Sequence, residues 1–287
     1  MPADAAVRLM LARGCVEAAL NACLPPAAEE PRRVHEAMRY AALGGGKRLR
    51  PLLLLGVCDL AAAEWNQGLD AACAIELSHA ASLILDDLPC MDDAQQRRGR
   101  ACTHIQYGEA TAILAAIGML ARAFELLARN AQAVRPACAA EALGALAAAV
   151  GTRGLVCGQH IDLALTGCKL SLNELEREHR LKAGVLFLAA VRIPALLLDL
   201  QSGVVQGLED YARNLGLAFQ VVDDLLDARA PREDAGKTTF ETHLGASGAC
   251  ARVHVLLDQA VDALRPLGGD VSILRRIAEY VRASIQS

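Results

Sequence analysis

Aromatic residues are scarce in this chain of 287 residues: four Phe, four Tyr and one Trp, 3% of the total. Strands draw on aromatic and β-branched side chains, so a sheet-built architecture is disfavoured and the abundant Ala and Leu point to helices. Neither sign of charge is in excess, the formal net charge being −4. No overall field therefore favours nucleic acid or an anionic membrane, and any anionic ligand must be met by a local group of Lys and Arg. The ten cysteines lack the C-x-x-C spacing of a zinc site or redox pair, and a chain of this length has no need of disulfide staples. That usage predicts a reduced, cytoplasmic setting. Asp4, Arg8, Arg13 and Glu17 interrupt the N-terminal apolar residues, so no signal-peptide core forms. Apolar runs such as 110–120 and 184–191 stop short of the roughly 20 residues of a membrane span. Nucleotide-binding G-x-G-x-x-G and P-loop signatures are missing, and no internal repeat is convincing.

What is present is helical periodicity nearly from end to end, punctuated locally. Pro25, Pro26 and Pro31 close a first helix, and the glycines at 44–46 close a second that begins near Arg32. Pro51 is placed to open a third helix reaching about Glu64, because proline suits a first helical turn. A fourth runs from Asp70 into an acidic segment at Asp86. Further helices are predicted over 109–129, 135–165, 172–182, 185–199, 204–226, 250–264 and 271–285, with a polar loop over 228–244. No linker interrupts the pattern. It predicts one all-α domain over 1–287, a single large helical bundle.

Two acidic segments stand out, DDLPCMDD from Asp86 to Asp93 and DDLLD from Asp223 to Asp227. Asp223 and Asp227 are four residues apart on a predicted helix, so both project from nearly the same face, beside Asp224. Such a pair is often a solvated acidic face, but Phe219, Val221, Val222, Leu225 and Leu226 make these flanks apolar. Like charges at this spacing repel unless a hard cation sits between them, and Mg2+ on a few carboxylates completes its shell with water and phosphate oxygens. The first segment needs a distortion, because an undistorted helix turns Asp86 and Asp92 to different faces. Pro89 supplies it: a proline removes a helical hydrogen bond, so Pro89 and Cys90 can bulge out and return Asp92 towards Asp86. Two clusters facing one another could hold several Mg2+ ions around one diphosphate. Cations flank them, with Lys47 and Arg50 after the glycines and Arg97, Arg98 and Arg100 after the first segment, and guanidinium forks suit phosphate oxygens. His79 lies two helical turns before Asp86 on roughly the same face.

The motifs GGGKRLRP (44–51), ELSHAASLILDDLPCMDDAQQRRGR (76–100), YGEAT (107–111), GQHIDL (158–163), LKAG (181–184), FQVVDDLLD (219–227) and GKTTF (236–240) run in one order through nearly the whole chain. Together they resemble the trans-isoprenyl diphosphate synthases, or polyprenyl synthetases. The resemblance implies an all-α bundle, usually a homodimer, that condenses isopentenyl diphosphate with an allylic diphosphate such as dimethylallyl, geranyl or farnesyl diphosphate. It implies Mg2+ held at Asp86, Asp92 and Asp223, with Asp87, Asp224 and Asp227 completing the catalytic segments. Lys47, Arg50, His79 and Arg98 match positions for isopentenyl diphosphate, and Arg97, Lys182 and Gln220 match positions for the allylic substrate.

Departures from the family pattern surround this set. Leu85 stands where bacterial relatives commonly carry His, Ile117 where they carry an acid or amide, and Ala183 where Thr often follows the lysine. The loop after Asp227 is shorter than usual and keeps one lysine, Lys237, which matches an early family lysine by spacing and a late one by its neighbours. In either place it is a substrate-binding position. Product length follows from helix rise: at 1.5 Å per residue, Ser82 and Ala81 lie roughly 6–7.5 Å deeper than Asp86, where a growing chain passes. In the family an aromatic there stops growth at C15. Two small residues leave the floor open and point to C20 geranylgeranyl diphosphate, unless Ile117 or Met119 forms the floor instead. A farnesyl diphosphate synthase and a non-catalytic subunit of a heteromeric synthase are the alternatives. A terpene cyclase would not need the Lys47, Arg50, His79 and Arg98 group.

Overall fold

The computed structural model describes residues 2–165, 170–227 and 238–285. Helices dominate, as the composition requires: α1 (Pro2–Cys23), α2 (Arg32–Leu43), α3 (Leu49–Leu60), α4 (Leu69–Asp86), α5 (Thr103–Tyr107), α6 (Glu109–Val134), α7 (Ala139–Val150), α8 (Leu155–Leu165), α9 (Leu172–His179), α10 (Val185–Leu197), α11 (Ser202–Asp227), α12 (Phe240–Ala263) and α13 (Ser272–Ala283). The sole sheet among the described residues is a two-residue ribbon of β1 (Gln96–Arg97) and β2 (Arg100–Ala101). All-α architecture is therefore the observed one.

Most predicted helices are present, and the differences have local causes. The stretch 135–165 is two helices rather than one, because Gly151, Thr152, Arg153 and Gly154 form a turn between α7 and α8. Helix α3 starts at Leu49 with Pro51 inside its first turn, and stops at Leu60 instead of reaching Glu64. It ends in a left-handed turn at Ala62 (φ 53°), where Ala63 N donates to Cys58 O (2.9 Å) and Ala62 N to Asp59 O (3.0 Å). The segments predicted over 172–182 and 185–199 are joined by a π-turn, Arg180–Gly184. Helix α12 opens with a short piece from Phe240, capped reciprocally by Thr239 and Thr242 and kinked at Gly245 (φ 67°) from the part that contains the predicted segment.

The helix α4 is buried on almost every side, its residues Ala71–Ser78 all being inside, and it packs against α1, α2, α3, α6 and α10. Helix α11 packs against α10 and α12. Stretches 109–134 and 136–165 are long and apolar enough by composition to cross a membrane. The first packs along α4 and α2, and the second is broken into helices of 12 and 11 residues, each too short to span.

A buried guanidinium ties the glycine-rich turn to this frame. Arg48, in a left-handed conformation (φ 52°), is 3% exposed and reaches Glu76 of α4 at 2.6 Å, Glu17 of α1 at 2.8 Å and Ala42 O at 2.7 Å. Breaking a buried pair strands a charge, whereas replacing the whole pair by apolar groups is often neutral. Arg48→Met is therefore expected to lower the unfolding free energy by about 3 kcal/mol or more, and Arg48→Met with Glu76→Leu to regain much of it, as read from urea midpoints.

Candidate active site

The first acidic segment sits at the C-terminal end of α4. Its helix stops at Asp86, and the chain turns back through Pro89 and the exposed Cys90 so that Asp92 N donates to Asp86 O at 2.9 Å. The proline thus returns Asp92 to Asp86, by ending the helix instead of bulging it. Burial pushes the Asp86 carboxyl up to about 6; Asp92 and Asp87 push the same way, while Lys182 and Arg97 oppose them. Asp87 is turned elsewhere. It is 3% exposed and takes the Arg97 guanidinium through Nε at 2.8 Å and Nη2 at 2.6 Å.

The second segment repeats this division. Near the C-terminal end of α11, Asp223 lies 3.6 Å from the Lys47 ammonium. Asp224, 7% exposed, accepts from His179 Nε2 at 3.2 Å and from Phe240 N at 3.2 Å, so it fastens the start of α12 to α11. The other ring nitrogen of His179 meets Glu178. Burial alone would depress the His179 pKa, but its bonds to Asp224 and Glu178 carry it up to about 9. Gln220 lies one turn before Asp224, half-buried. The side chain of Asp227 and all of Lys237 lie outside the described residues.

Cations from the glycine-rich turn and the ribbon come together beside these acids. The Lys47 ammonium stands over the Phe219 ring at 4.8 Å and the Arg50 guanidinium over Phe187 at 4.7 Å, and the two rings pack at 5.5 Å. Arg50 is 7% exposed with an unpartnered Nε, and burial lowers its pKa to about 10, against the pull of Glu76 and Asp223. Arg98 (φ 54°) donates to the Gly45 carbonyl and lies flat against Gly46, where a Cβ would collide with its guanidinium. Glycine at 46 is thus a requirement of close approach. His79 shares a cavity of about 50 Å³ with Arg48, Arg97, Arg98 and Arg100. Burial and then the charge of Arg50 and its neighbours hold His79 well below the usual histidine range, which keeps it neutral.

Lys182 lies in the π-turn, a distortion frequent at functional sites. Its ammonium binds Asp162 of α8 and is drawn also by Asp92 and Asp86. Ala183, beside it, is buried in the same turn. Ala81 is fully buried on α4, while Ser82 bonds back to His79 O at 2.9 Å. Ile117 is 57% exposed and does not line the interior of one protomer, whereas Met119 is fully buried.

Among the described residues, the structure brings Asp86, Lys182, Arg97, Arg98, Arg50 and Asp223 into one region, linked through their mutual electrostatics. Asp87 and Asp224, predicted as catalytic, have their carboxylates engaged by Arg97 and by His179 with the Phe240 amide. Sequence reasoning missed Arg48, Glu76, Asp162, Glu178, His179 and the two phenylalanines. Motifs quoted above contain Arg48, Glu76, Asp162 and Phe219, whereas Glu178, His179 and Phe187 fall in none. The donor set fits Mg2+, because Asp86, Asp92 and Asp223 are hard oxygen ligands. No three potential ligands converge on one point among the described residues, so water and phosphate oxygens would fill most of the shell.

The polyprenyl synthetase family model matches residues 31–243. A chloroplastic geranylgeranyl pyrophosphate synthase of Capsicum annuum is 44% identical over 211 residues, covering 73% of this chain and 57% of that one. The large subunit 1 of a heterodimeric geranylgeranyl pyrophosphate synthase of Arabidopsis thaliana is 42% identical over 228 residues, 78% of this chain and 61% of its own. The chain thus spans about three fifths of these curated relatives. A crystal structure of an FPP/GFPP synthase from Zymomonas mobilis superposes with a TM-score of 0.90 at 37% identity, covering 98% of this chain and 100% of the other. That of a geranyltransferase from Legionella pneumophila gives 0.91 at 30% identity, with 99% and 98% covered.

The His179 cluster yields a pH dependence. A folded pKa raised above the unfolded value gives stability that is complete below about 6.5 and is lost as pH rises through about 9. In EDTA, the unfolding free energy from urea titration is expected to fall from pH 6.5 to pH 9.5, and His179→Gln to flatten that slope.

Proposed function

Since this chain belongs to the polyprenyl synthetase family, we propose that it is a prenyl transferase that joins isopentenyl diphosphate to an allylic diphosphate and makes C20 geranylgeranyl diphosphate. The observation that carries the reading is that cations reach the acidic segments from two parts of the chain, the glycine-rich turn with the ribbon and the π-turn. Lys47, Arg50 and Arg98 gather at the glycine-rich turn with neutral His79, while Lys182 and Arg97 act on Asp86. Two diphosphates need two such groups, and a cyclase needs one. The first group would hold isopentenyl diphosphate; Lys182 and Arg97, with Gln220 on α11, would hold the allylic substrate.

Asp86, Asp92 and Asp223 would hold Mg2+, which supplies positive charge for the departing diphosphate. The chain's own contribution is preorganised charge. Lys182, held by Asp162, and Arg97, held by Asp87, point at the place where negative charge develops as the allylic C–O bond breaks and its electron pair leaves with the diphosphate. Lys47 and Arg50, backed by Phe219 and Phe187, fix the second substrate so that its double bond lies against the allylic C1. The new C–C bond forms there, and the departed diphosphate takes the proton then lost. No serine or histidine base is required.

For product length, the side chains one turn above Asp86, Ala81 and Ser82, are both small, and the plant relatives are named as geranylgeranyl synthases. The Zymomonas structure, titled FPP/GFPP synthase, keeps C15 as the alternative product. The intact aspartates and cations argue against a non-catalytic subunit. Helix α6 carries an outward row of Ile113, Leu114 and Ile117, with Ile105 of α5 also exposed, a face that suits the homodimer we propose. Purified protein given Mg2+, isopentenyl diphosphate and each allylic primer in turn is expected to accumulate C20 by product chromatography, and Ala81→Phe to stop at C15. Absence of any elongated product would sink the transferase reading. C15 as the dominant wild-type product under excess isopentenyl diphosphate would sink the C20 assignment alone.

A further inference from the structure

Away from the acidic segments, two free thiols meet. Cys23 closes α1 and Cys73 lies at the second turn of α4, 50 residues on in the sequence, and the two helices pack against one another. The Cys73 thiol donates to Cys23 Sγ, and the Cys23 thiol donates in turn to Leu20 O at 3.3 Å. Cys23 is 7% and Cys73 1% exposed. A cysteine buried by itself is a small inert apolar group, as at Cys58, where burial and then Asp59 push the thiol up to about 12. The pair is different, and its two members differ from each other. Cys23 lines a cavity of about 530 Å³ between the α1–α2 connection and α6, shared with Pro25, Pro31, Met38 and Arg122. Arg122 Nε donates to Cys23 O at 2.9 Å, so a guanidinium, shared with Glu125, stands at the negative end of α1 beside the thiol. The bond from Cys73, with Arg122 behind it, holds the Cys23 thiol below the usual range against burial and Asp70. Cys73, as the donor and by burial, is pushed up.

One sulfur facing a cavity beside a cation, with a second, protonated sulfur in contact behind it, is the arrangement of an attacking and a resolving thiol. We propose that Cys23 and Cys73 form a modification site for hydrogen peroxide, which converts them to a disulfide that pins α1 to α4. The Cys23 sulfur attacks one peroxide oxygen and the O–O bond breaks, giving a sulfenic acid on Cys23 and one water. The Cys73 sulfur then attacks the Cys23 sulfur, the hydroxyl leaves with the Cys73 proton as a second water, and the S–S bond forms. In all, the two thiols lose two electrons and two protons, and the peroxide is reduced to water. Cys73 precedes Asp86 by 13 residues, roughly 20 Å along α4, so the bond leaves the acidic segments untouched and the proposal stands apart from the prenyl-transfer reading. What the bond alters is the unfolded chain, in which it closes a loop of 50 residues and removes entropy that opposes folding.

The test treats the reduced full chain with a small excess of hydrogen peroxide, alkylates the remaining thiols and maps the unreduced peptides by fragmentation mass spectrometry. A disulfide between Cys23 and Cys73 is expected, with Cys58 recovered as an alkylated thiol. The melting temperature is expected to rise by about 5–10 °C and to return when dithiothreitol is added. Cys73→Ser, which lacks the resolving thiol, should stop at a sulfenic acid on Cys23 that dimedone traps, with no rise in melting temperature. Cys23→Ser should give neither the adduct nor the rise. If a serine variant does not fold, alanine takes its place, and the wild-type map by itself decides the pairing. Recovery of Cys23 and Cys73 as alkylated thiols, or the pairing of either with another cysteine, would overturn the proposal. A Cys23–Cys73 disulfide that leaves the melting temperature unchanged would overturn its pinning of α1 to α4.

Discussion

Mutual repulsion among carboxylates is the constraint on which the rest of the structure depends. Both acidic segments close helices, α4 at Asp86 and α11 at Asp227, so their charges add to the negative ends of two helix dipoles. Leaving four such groups in an apolar bundle without compensation would oppose folding. The protein divides the task. Asp87 and Asp224 receive permanent partners, Arg97 for one and His179 with the Phe240 amide for the other. Asp86 stays within the fields of Lys182 and Arg97, and Asp223 lies beside the Lys47 ammonium. A site built this way is primed for cations and for the anions that accompany them.

The cations must in turn be kept from collapsing onto those acids. Arg50 and Lys47 lean on the faces of Phe187 and Phe219, which favour a cation without neutralising it. Arg48, facing the opposite way, locks the turn that carries them to α1 and α4. The π-turn presents Lys182, and Gly158 lets α8 come close enough for Asp162 to bind it. Packing and electrostatics therefore act on the same few residues, and the charge is oriented before substrate arrives.

Much of this was legible in the residues because it is local. Alternation of apolar and polar positions places most helices, and Pro89, lacking an N–H, announces the return of Asp92 to Asp86. Division of labour within each aspartate pair was not legible, since both members share one sequence neighbourhood. It depends on Arg97, 10 residues after Asp87, and on His179, 45 residues before Asp224. The Arg48–Glu76 pair spans 28 residues and carries no periodic signature. The π-turn at Arg180–Gly184 and the early start of α12 were missed for a related reason, because tertiary contacts and reciprocal caps outweigh average hydropathy there.

The central proposal is that the first aspartate of each pair serves the ligand and the second, bonded to Arg97 or His179, serves the fold. Titration calorimetry of an unreactive allylic thiodiphosphate, with and without Mg2+, on the wild type, Asp86→Asn and Asp87→Asn, each paired with a melting curve, tests it directly. The account predicts that Asp86→Asn abolishes the Mg2+ enhancement of binding with little change in melting temperature, while Asp87→Asn melts earlier and keeps the enhancement. An Asp87→Asn protein that melts like the wild type and loses the enhancement would contradict it.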